Sequence, residues 1–277
     1  MSESAVRIPV EEFRKEATRI VSEARSGGIE LRILGGLAIY LHCEEHHPNL
    51  RLHYEMAGRV IQGNSLFADL DLIGYSSQRK EIVKLFEKKL NFLPDRRFNM
   101  MFGFKRMIYA DGNKYLIDLF FDKMEYSHDI EFGNKPERGR LSLDFPTIDL
   151  ADLLLTKLQI HKITTKDLID ISTLLLLHDL GNGSKDTIDS SRISSVLAND
   201  WGFWYDAISN LKALENLQAD LVSKGIITSD QEKLIQERSN RLLSEIEKTP
   251  KTKSWKNRSK TGTSKPWYRE VEEVVRN

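Results

Sequence analysis

Apolar residues recur three or four positions apart between residues 9 and 26, a spacing that predicts an amphipathic helix. Residues 29–34 are β-prone and lead into Gly35-Gly36, after which residues 37–42 have the pattern of a helix start. A strand, two glycines and a helix would expose backbone N–H groups where an anion can approach closely. A tight turn between strand and helix is the alternative interpretation.

Two carboxylates lie within the apolar run of residues 67–74. Because successive side chains of a strand point to opposite faces, Asp69 and Asp71 share one face and Leu70 and Leu72 share the other. Two like charges so close repel each other, and burial is costly unless a cation is bound. Mg²⁺ prefers oxygen ligands, so the pattern indicates a divalent metal. Two solvated acids at a strand end are the alternative.

A β-hairpin is predicted after a helix over residues 77–90. Its strands are residues 105–109 and 115–121, and its turn is residues 111–113. The second strand is almost wholly apolar, yet Asp118 lies in its middle, and a lone buried acid needs a partner. If this strand lies beside the first acidic strand, the three carboxylates form one cluster.

The remaining elements complete the predicted architecture. Two edge strands are predicted at residues 128–132 and 139–144, and the pattern then becomes helical. We therefore predict an α+β fold with a mixed β-sheet core and flanking helices over residues 1–146. A helical domain over residues 147–247 would complete the cleft, and a basic, aromatic-containing tail would follow over residues 248–277.

Charged residues lie within two of the predicted helices. Lys157, Lys166, Asp167 and Asp170 are the charged residues that we expect to face inward across this helix pair. Solvated charges on amphipathic helices are the alternative.

The composition is that of an ordinary globular protein. The 277 residues carry 41 basic and 41 acidic side chains, so any surface for a nucleic acid must be local. A single cysteine, Cys43, excludes an internal disulfide and is typical of a reducing compartment. No run approaches the roughly 18 apolar residues that a membrane helix needs. We expect a cytoplasmic protein with no membrane partner.

Two histidine patterns have structural alternatives. Residues 42–64 are predicted to be an irregular loop, although the histidines beside Cys43 could suggest zinc. No second well-spaced pair of ligands completes a tetrahedral site, which favours the loop. The His178-Asp179 pair could suggest a metal-dependent phosphohydrolase, but its position favours a helix C-terminal cap.

The tail differs from the rest of the chain. From residue 248 to residue 269 it has eight basic residues and no acidic one, with Trp255, Trp267 and Tyr268 interleaved. Basic residues with aromatic residues suit phosphate contact and base stacking. Docking of the aromatic residues onto the body is the alternative. We predict that the tail lies near the mouth of the acidic cleft.

These motifs together resemble a known superfamily. The glycine pair Gly35-Gly36, the Asp69-x-Asp71 strand and the later strand with Asp118 resemble the nucleotidyltransferase superfamily related to DNA polymerase β. Two helical motifs resemble its AbiEii-type branch, which includes toxins of toxin–antitoxin pairs: residues 154–158 (LLTKL) and Lys166-Asp167-x-x-Asp170. Three later motifs resemble uncharacterised nucleotidyltransferase-like proteins, so the resemblance covers nearly the whole chain: residues 200–202, 250–255 and 267–270.

The resemblance implies an activity and a substrate class. It implies metal-dependent transfer of a nucleoside monophosphate from a nucleoside triphosphate to a hydroxyl acceptor. The acceptor would be an RNA, a small molecule or a protein, and an antitoxin would be a candidate partner. A catalytically silent protein that binds nucleotide or RNA on the same fold is the alternative, which the absence of an Arg-x-Thr motif before Asp69 favours.

The resemblance also implies roles for individual residues. Asp69 and Asp71 would hold two Mg²⁺ or Mn²⁺ ions, and Asp118 would join the second ion and help to activate the acceptor. The nucleotide phosphates would contact the remaining candidates: Gly35, Gly36, Lys157 and Lys166. Asp167 would be the supporting base.

Overall fold

The computed structural model describes residues 8–59, 66–112, 114–182 and 186–270, and over these residues the protein is an α+β fold. Five strands form the main sheet: β1 (Leu31–Ile33), β2 (Leu70–Gly74), β3 (Leu93–Pro94), β4 (Arg106–Asp111) and β5 (Tyr115–Phe121). Their order is β1-β2-β5-β4-β3, with β2 parallel to β5 and the other neighbours antiparallel. The sheet is therefore mixed, as predicted.

Five helices belong to this first part of the chain: α1 (Val10–Ser26), α2 (Gly35–Glu44), α3 (Leu50–Met56), α4 (Arg79–Lys84) and α5 (Arg96–Phe102). Helix α1 buries one apolar face in the core, from Phe13 through Ala24. Helix α4 continues into a π-helical turn over Leu85–Lys89. The predicted helices at both places are confirmed.

The second half is helical. Its helices are α6 (Leu150–Leu158), α7 (Thr165–Leu177), α8 (Ser190–Leu197), α9 (Trp201–Ser223), α10 (Ser229–Lys248) and α11 (Lys253–Ser259). Side-chain caps fix where several of these helices begin: the Asp149 carboxylate accepts from the Asp152 backbone N–H, and Thr164 and Asp167 form a capping box. Helix α2 packs against α6 and α7, so the glycine-led helix connects the sheet to the helical half.

Two short β-ladders lie outside the main sheet. Strand β6 (Lys123–Glu125) pairs with β7 (Asp129–Glu131), and β8 (Asp179–Gly181) pairs with β9 (Thr187–Asp189). The strand predicted at residues 128–132 therefore exists, but its partner is β6 and it is not at an edge of the main sheet.

Two other expectations are wrong. Residues 139–144 contain a 3₁₀ turn, Leu141–Leu143, because the backbone N–H of Leu141 donates to the Tyr75 hydroxyl instead of to a neighbouring strand. Part of the loop predicted over residues 42–64 is helix α3, which buries Leu50 and Tyr54 in the core. Residues 60–65 of that loop, and Asn113 of the predicted hairpin turn, lie outside the described residues.

Candidate functional site

Three aspartates meet on one face of the main sheet. In the parallel pairing of β2 with β5, Asp71 lies directly opposite Asp118. Asp69 precedes β2 by one residue, and one ligand oxygen from each of the three carboxylates lies within 4.8 Å of the others. The sequence left open whether the Asp118 strand lies beside the Asp69/Asp71 strand; the two strands are neighbours, and the three carboxylates form one cluster.

The environment of Asp71 disfavours a negative charge. Burial raises the pKa of the Asp71 carboxyl well above its ordinary value, and the neighbouring charges of Asp69 and Asp118 raise it further. Lys157 and Arg106 act in the opposite direction, but their effect is smaller. A divalent cation at this position would relieve the repulsion, and an all-oxygen donor set suits Mg²⁺ or Mn²⁺.

Arg106 is a member of the site that sequence reasoning missed. From β4 its guanidinium binds both oxygens of Asp118: Nε donates to Oδ1 at 2.5 Å, and Nη2 donates to Oδ2. The rings of Phe120 and Phe98 lie 5.1 Å and 5.8 Å from Arg106 Cζ. Burial alone would lower the pKa of this guanidinium, but Asp118 holds it above its ordinary value. Arg106 is thus a cation held permanently beside the acids.

Helices α6 and α7 supply an ion-pair network behind the acids. Lys157 Nζ lies 2.8 Å from Asp167 Oδ1 and 2.9 Å from Asp170 Oδ2. Burial by itself would lower the pKa of Lys157, but Asp170 and Asp167 raise it above its ordinary value, so this lysine stays charged. Of the four charged residues predicted to face inward across the helix pair, Lys157, Asp167 and Asp170 contact one another.

Asp167 and Lys166 differ in what they contact. Asp167 is held by Lys157 and by the Thr164 cap, and although burial opposes them, these contacts lower the pKa of the Asp167 carboxyl. A carboxylate that is so stabilised in its ionised form is a weak proton acceptor, which makes it a poor supporting base. Lys166 is half-buried and makes no side-chain hydrogen bond or ion pair with the residues that the structure describes.

Arg59 is a second residue that sequence reasoning missed. Its guanidinium pairs with both oxygens of Asp170, and Nη1 donates to the backbone oxygen of Leu66 at 2.7 Å. Arg59 lies in a segment that was expected to be an irregular loop, so the sequence gave no indication that it belongs to the site. Arg59 and Lys157 together neutralise the two carboxylates of α7.

The glycine pair is explained by these charged side chains. Gly35 has φ +73°, and a Cβ at this residue would overlap Oδ2 of Asp71. A Cβ on Gly36 would overlap Nη2 of Arg59. The two glycines therefore let the start of α2 approach the acid cluster and the ion-pair network, which a plain turn would not require.

The acids of this assembly lie among bases from several elements. Five carboxylates belong to it (Asp69, Asp71, Asp118, Asp167 and Asp170), and three bases (Arg59, Arg106 and Lys157). Within the described ranges the three aspartates are also the one group of metal-ligating side chains with suitable spacing.

The histidine cluster lacks that spacing. Cys43 Sγ lies 3.9 Å from His178 Nε2, and the His46 and His178 rings are 5.0 Å apart. Burial lowers the pKa of His178 to about 4, which keeps the ring neutral. His178 is the C-cap of α7, as the cap interpretation predicts.

The tail docks through its aromatic residues. The Trp255 ring lies 5.1 Å from the Trp204 ring, and Trp267 Nε1 donates to Asp206 Oδ1 at 3.0 Å. Tyr268 stacks on His161 with ring centroids 3.5 Å apart. These contacts correspond to the docking interpretation of the tail, and residues 271–277 lie outside the described residues.

The end of the tail contacts the loop between β6 and β7. Arg269 Nε donates to the backbone oxygen of Tyr126 at 2.9 Å, and its guanidinium pairs with Asp129. Burial raises the pKa of Tyr126, and Asp71 and Asp118 raise it further, so this phenol lies close to the acid cluster. The tail therefore holds the loop that carries Tyr126 to the site.

Two general findings complete the description of the site. Over the described part of the chain, no helix has the length and apolar character to span a membrane. Comparison with models of protein families, with curated proteins and with solved structures finds no match for this chain.

Proposed function

We propose that the protein is a metal-dependent nucleotidyltransferase, which moves a nucleoside monophosphate from a nucleoside triphosphate to a hydroxyl acceptor. The observation that carries this proposal is the pairing of Asp71 with Asp118 across two parallel strands, with Asp69 within 4.8 Å. Nucleotidyl transfer needs positioning and charge neutralisation more than covalent chemistry, and three convergent carboxylates supply a cation site for both.

The residues around the acids have separate tasks in this proposal. Asp69, Asp71 and Asp118 would hold Mg²⁺ or Mn²⁺, which when bound neutralises phosphate charge and orients the triphosphate. Gly35 and Gly36 bring the N-terminus of α2 against Asp71 and Arg59, so its backbone N–H groups are within reach of a phosphate at the same site. Lys157 adds positive charge near Asp71.

Asp71→Asn tests the proposal. With labelled nucleoside triphosphates, Mg²⁺ or Mn²⁺ and pooled RNAs, small molecules and proteins as acceptors, the wild type should transfer label and Asp71→Asn should not. The substitution removes a buried, repelled charge, so the melting temperature should stay the same or rise. Loss of activity with a preserved fold would therefore locate the chemistry.

The matched control is Asp152→Asn. Asp152 is a buried carboxylate that pairs with Arg140 and Arg192, none of which belongs to the acid cluster. Its substitution should lower stability but leave the activity per folded molecule unchanged. Equal loss of transfer in both variants would contradict the proposal.

A silent binding protein on the same fold is the second candidate. The observation that favours it is the Arg106–Asp118 pair, because the guanidinium engages both oxygens of a proposed metal ligand. Calorimetry with nucleoside triphosphates separates the two functions: metal-dependent binding without any product supports the silent protein.

The toxin-like role is tested in cells. Expression of the wild type should arrest growth, and expression of Asp71→Asn should not, if nucleotidyl transfer to a cellular acceptor is toxic. Co-expression with the product of an adjacent gene then tests whether an antitoxin exists.

A further inference from the structure

An exposed apolar surface surrounds helix α5. Nine large hydrophobic side chains are exposed in the described part of the chain, and five of them lie between residues 93 and 104: Leu93, Met100, Met101, Phe102 and Phe104. Met100 is 82% exposed, Phe104 is 61% exposed and Phe102 is 46% exposed. Clusters of this kind usually mark a site of interaction.

The same surface is basic. Residues 79–106 contain nine basic and three acidic residues, although the whole chain is balanced. Arg96 and Arg97 are exposed and have no ion-pair partner in the described ranges, and Lys88 lines the same cleft as Arg96. The nearest acid in sequence, Asp95, accepts a hydrogen bond from the Phe98 backbone N–H as the cap of α5. Three of the nine basic residues pair with acids outside this range: Lys89 with Glu23, Lys105 with Glu125 and Arg106 with Asp118. The positive charge without an acidic partner among the described residues is therefore that of Arg96 and Arg97 beside the exposed rings.

Helix α5 is fixed to the sheet beside the acid cluster. The Asn99 side chain accepts from the backbone N–H of Ile108 at 2.7 Å and donates to its carbonyl at 3.0 Å. Ile108 is the residue of β4 that pairs with Asp118. The Phe98 ring also contacts Arg106, which binds Asp118. A ligand on α5 would thus lie next to the proposed reaction site.

We propose that this surface, defined by Arg96, Arg97, Phe102 and Phe104 and called the α5 surface, binds single-stranded RNA. Exposed rings stack on unpaired bases, and unpaired guanidinium groups contact phosphates. RNA regularly presents unstacked loops and ends, which such a surface can bind. The aromatic residues of the tail pack on the body, so they are less available for stacking than the rings of the α5 surface.

Binding to the α5 surface does not require turnover, whereas the role of this RNA as the acceptor rests on the proposed function. The test therefore measures binding of a fluorescent 12-nucleotide RNA of mixed sequence without any nucleoside triphosphate, by anisotropy, to the wild type and to Asp71→Asn. Both proteins should bind this RNA equally. A failure to bind RNA would contradict the proposal for the α5 surface, whereas a failure to transfer label would contradict the proposed function.

Variants of the α5 surface should weaken binding in two different ways. Phe102→Ala with Phe104→Ala should weaken binding at least about fivefold, because stacking is lost. Arg96→Gln with Arg97→Gln should reduce the slope of log affinity against log salt by about 1.4, since two phosphate contacts are lost. These side chains are exposed, so the fold should be retained.

Two matched controls lie elsewhere on the protein. Leu52→Ala with Met56→Ala removes two exposed apolar side chains of α3, and Lys253→Gln with Lys256→Gln removes two exposed charges of α11. Neither pair should change affinity by more than about twofold.

Several results would overturn the proposal. The proposal is wrong if the wild type does not bind RNA. It is also wrong if both α5 variants keep the affinity of the wild type, or if the α11 control loses as much affinity as they do. Equal affinity for a DNA oligonucleotide of the same sequence would overturn the assignment to RNA. If light scattering shows a dimer that Phe102→Ala with Phe104→Ala dissociates, the surface binds a second copy of the chain instead.

Discussion

Replacement of Arg106 by methionine would remove the cation that the acid cluster already contains. The Asp118 carboxylate is almost fully buried, so without its partner it becomes an uncompensated charge. Breaking a buried pair from one side costs about 3–5 kcal/mol, and we expect about 2–4 kcal/mol here because Arg106 is partly exposed. For a chain of this size the melting temperature should then fall by roughly 4–16 °C without metal.

The same substitution should strengthen metal binding. Arg106 Nε is 2.5 Å from Asp118 Oδ1, and the three acids lie within 4.8 Å of one another, so the guanidinium lies within about 7 Å of an ion held by them. At that distance the repulsion between a guanidinium and a divalent cation is about 1–5 kcal/mol for effective dielectric constants of about 80 to 20. The affinity for Mn²⁺ should therefore rise at least about fivefold.

Calorimetry and thermal denaturation with and without Mn²⁺ measure both effects. Arg140→Met is the matched control, because Arg140 pairs with the buried Asp152, which is not a member of the acid cluster. The control should lower the melting temperature and leave Mn²⁺ affinity unchanged. If Arg106→Met binds Mn²⁺ no more tightly than the wild type, the three aspartates do not form a cation site.

Four further substitutions test other contacts. Gly35→Ala should lower stability by about 2–4 kcal/mol and weaken Mn²⁺ binding, because a Cβ overlaps Asp71. Gly28→Ala should cost about 1–2 kcal/mol without affecting Mn²⁺, since Gly28 has the same φ of +73° in open space. Asp170→Asn should destabilise by about 3–5 kcal/mol in chemical denaturation, because Arg59 and Lys157 both lose a partner. His178 is neutral in the folded protein, with its pKa lowered to about 4 by burial, so protonation favours the unfolded state. The melting temperature should therefore fall as pH decreases from about 6.5 to 4, and His178→Gln should make that fall shallower.

The acid cluster could be predicted because local rules determine it. Alternation along a strand puts Asp69 and Asp71 on one face, and Asp118 interrupts an otherwise apolar strand that had to be central. The period of the helical pattern likewise predicted that Lys157 faces the acids of α7. These inferences need only the period of each element and the cost of burying a charge.

The two arginines of the site could not be predicted. Arg59 and Asp170 are 111 residues apart, and nothing in the local pattern of either indicates the other. Arg106 begins a strand, a position at which an arginine is ordinarily solvated. Long-range pairing is decided by tertiary packing, which also places the 3₁₀ turn Leu141–Leu143, through the Tyr75 hydroxyl, where a strand was predicted over residues 139–144.

Charge balance at the acid cluster bears on both candidate functions. A nucleoside triphosphate that arrives with its own Mg²⁺ also brings compensating negative charge, so the protein needs to offset only one further ion. An ion held by Asp69 and Asp71 alone would leave the Arg106–Asp118 pair intact, so this pair is compatible with turnover. Asp71 differs from Asp118, because no described base forms an ion pair with it. A buried carboxylate without such a partner is destabilising when it is ionised, which is why the pKa of Asp71 is raised, and we propose that a bound cation would relieve this cost in either candidate.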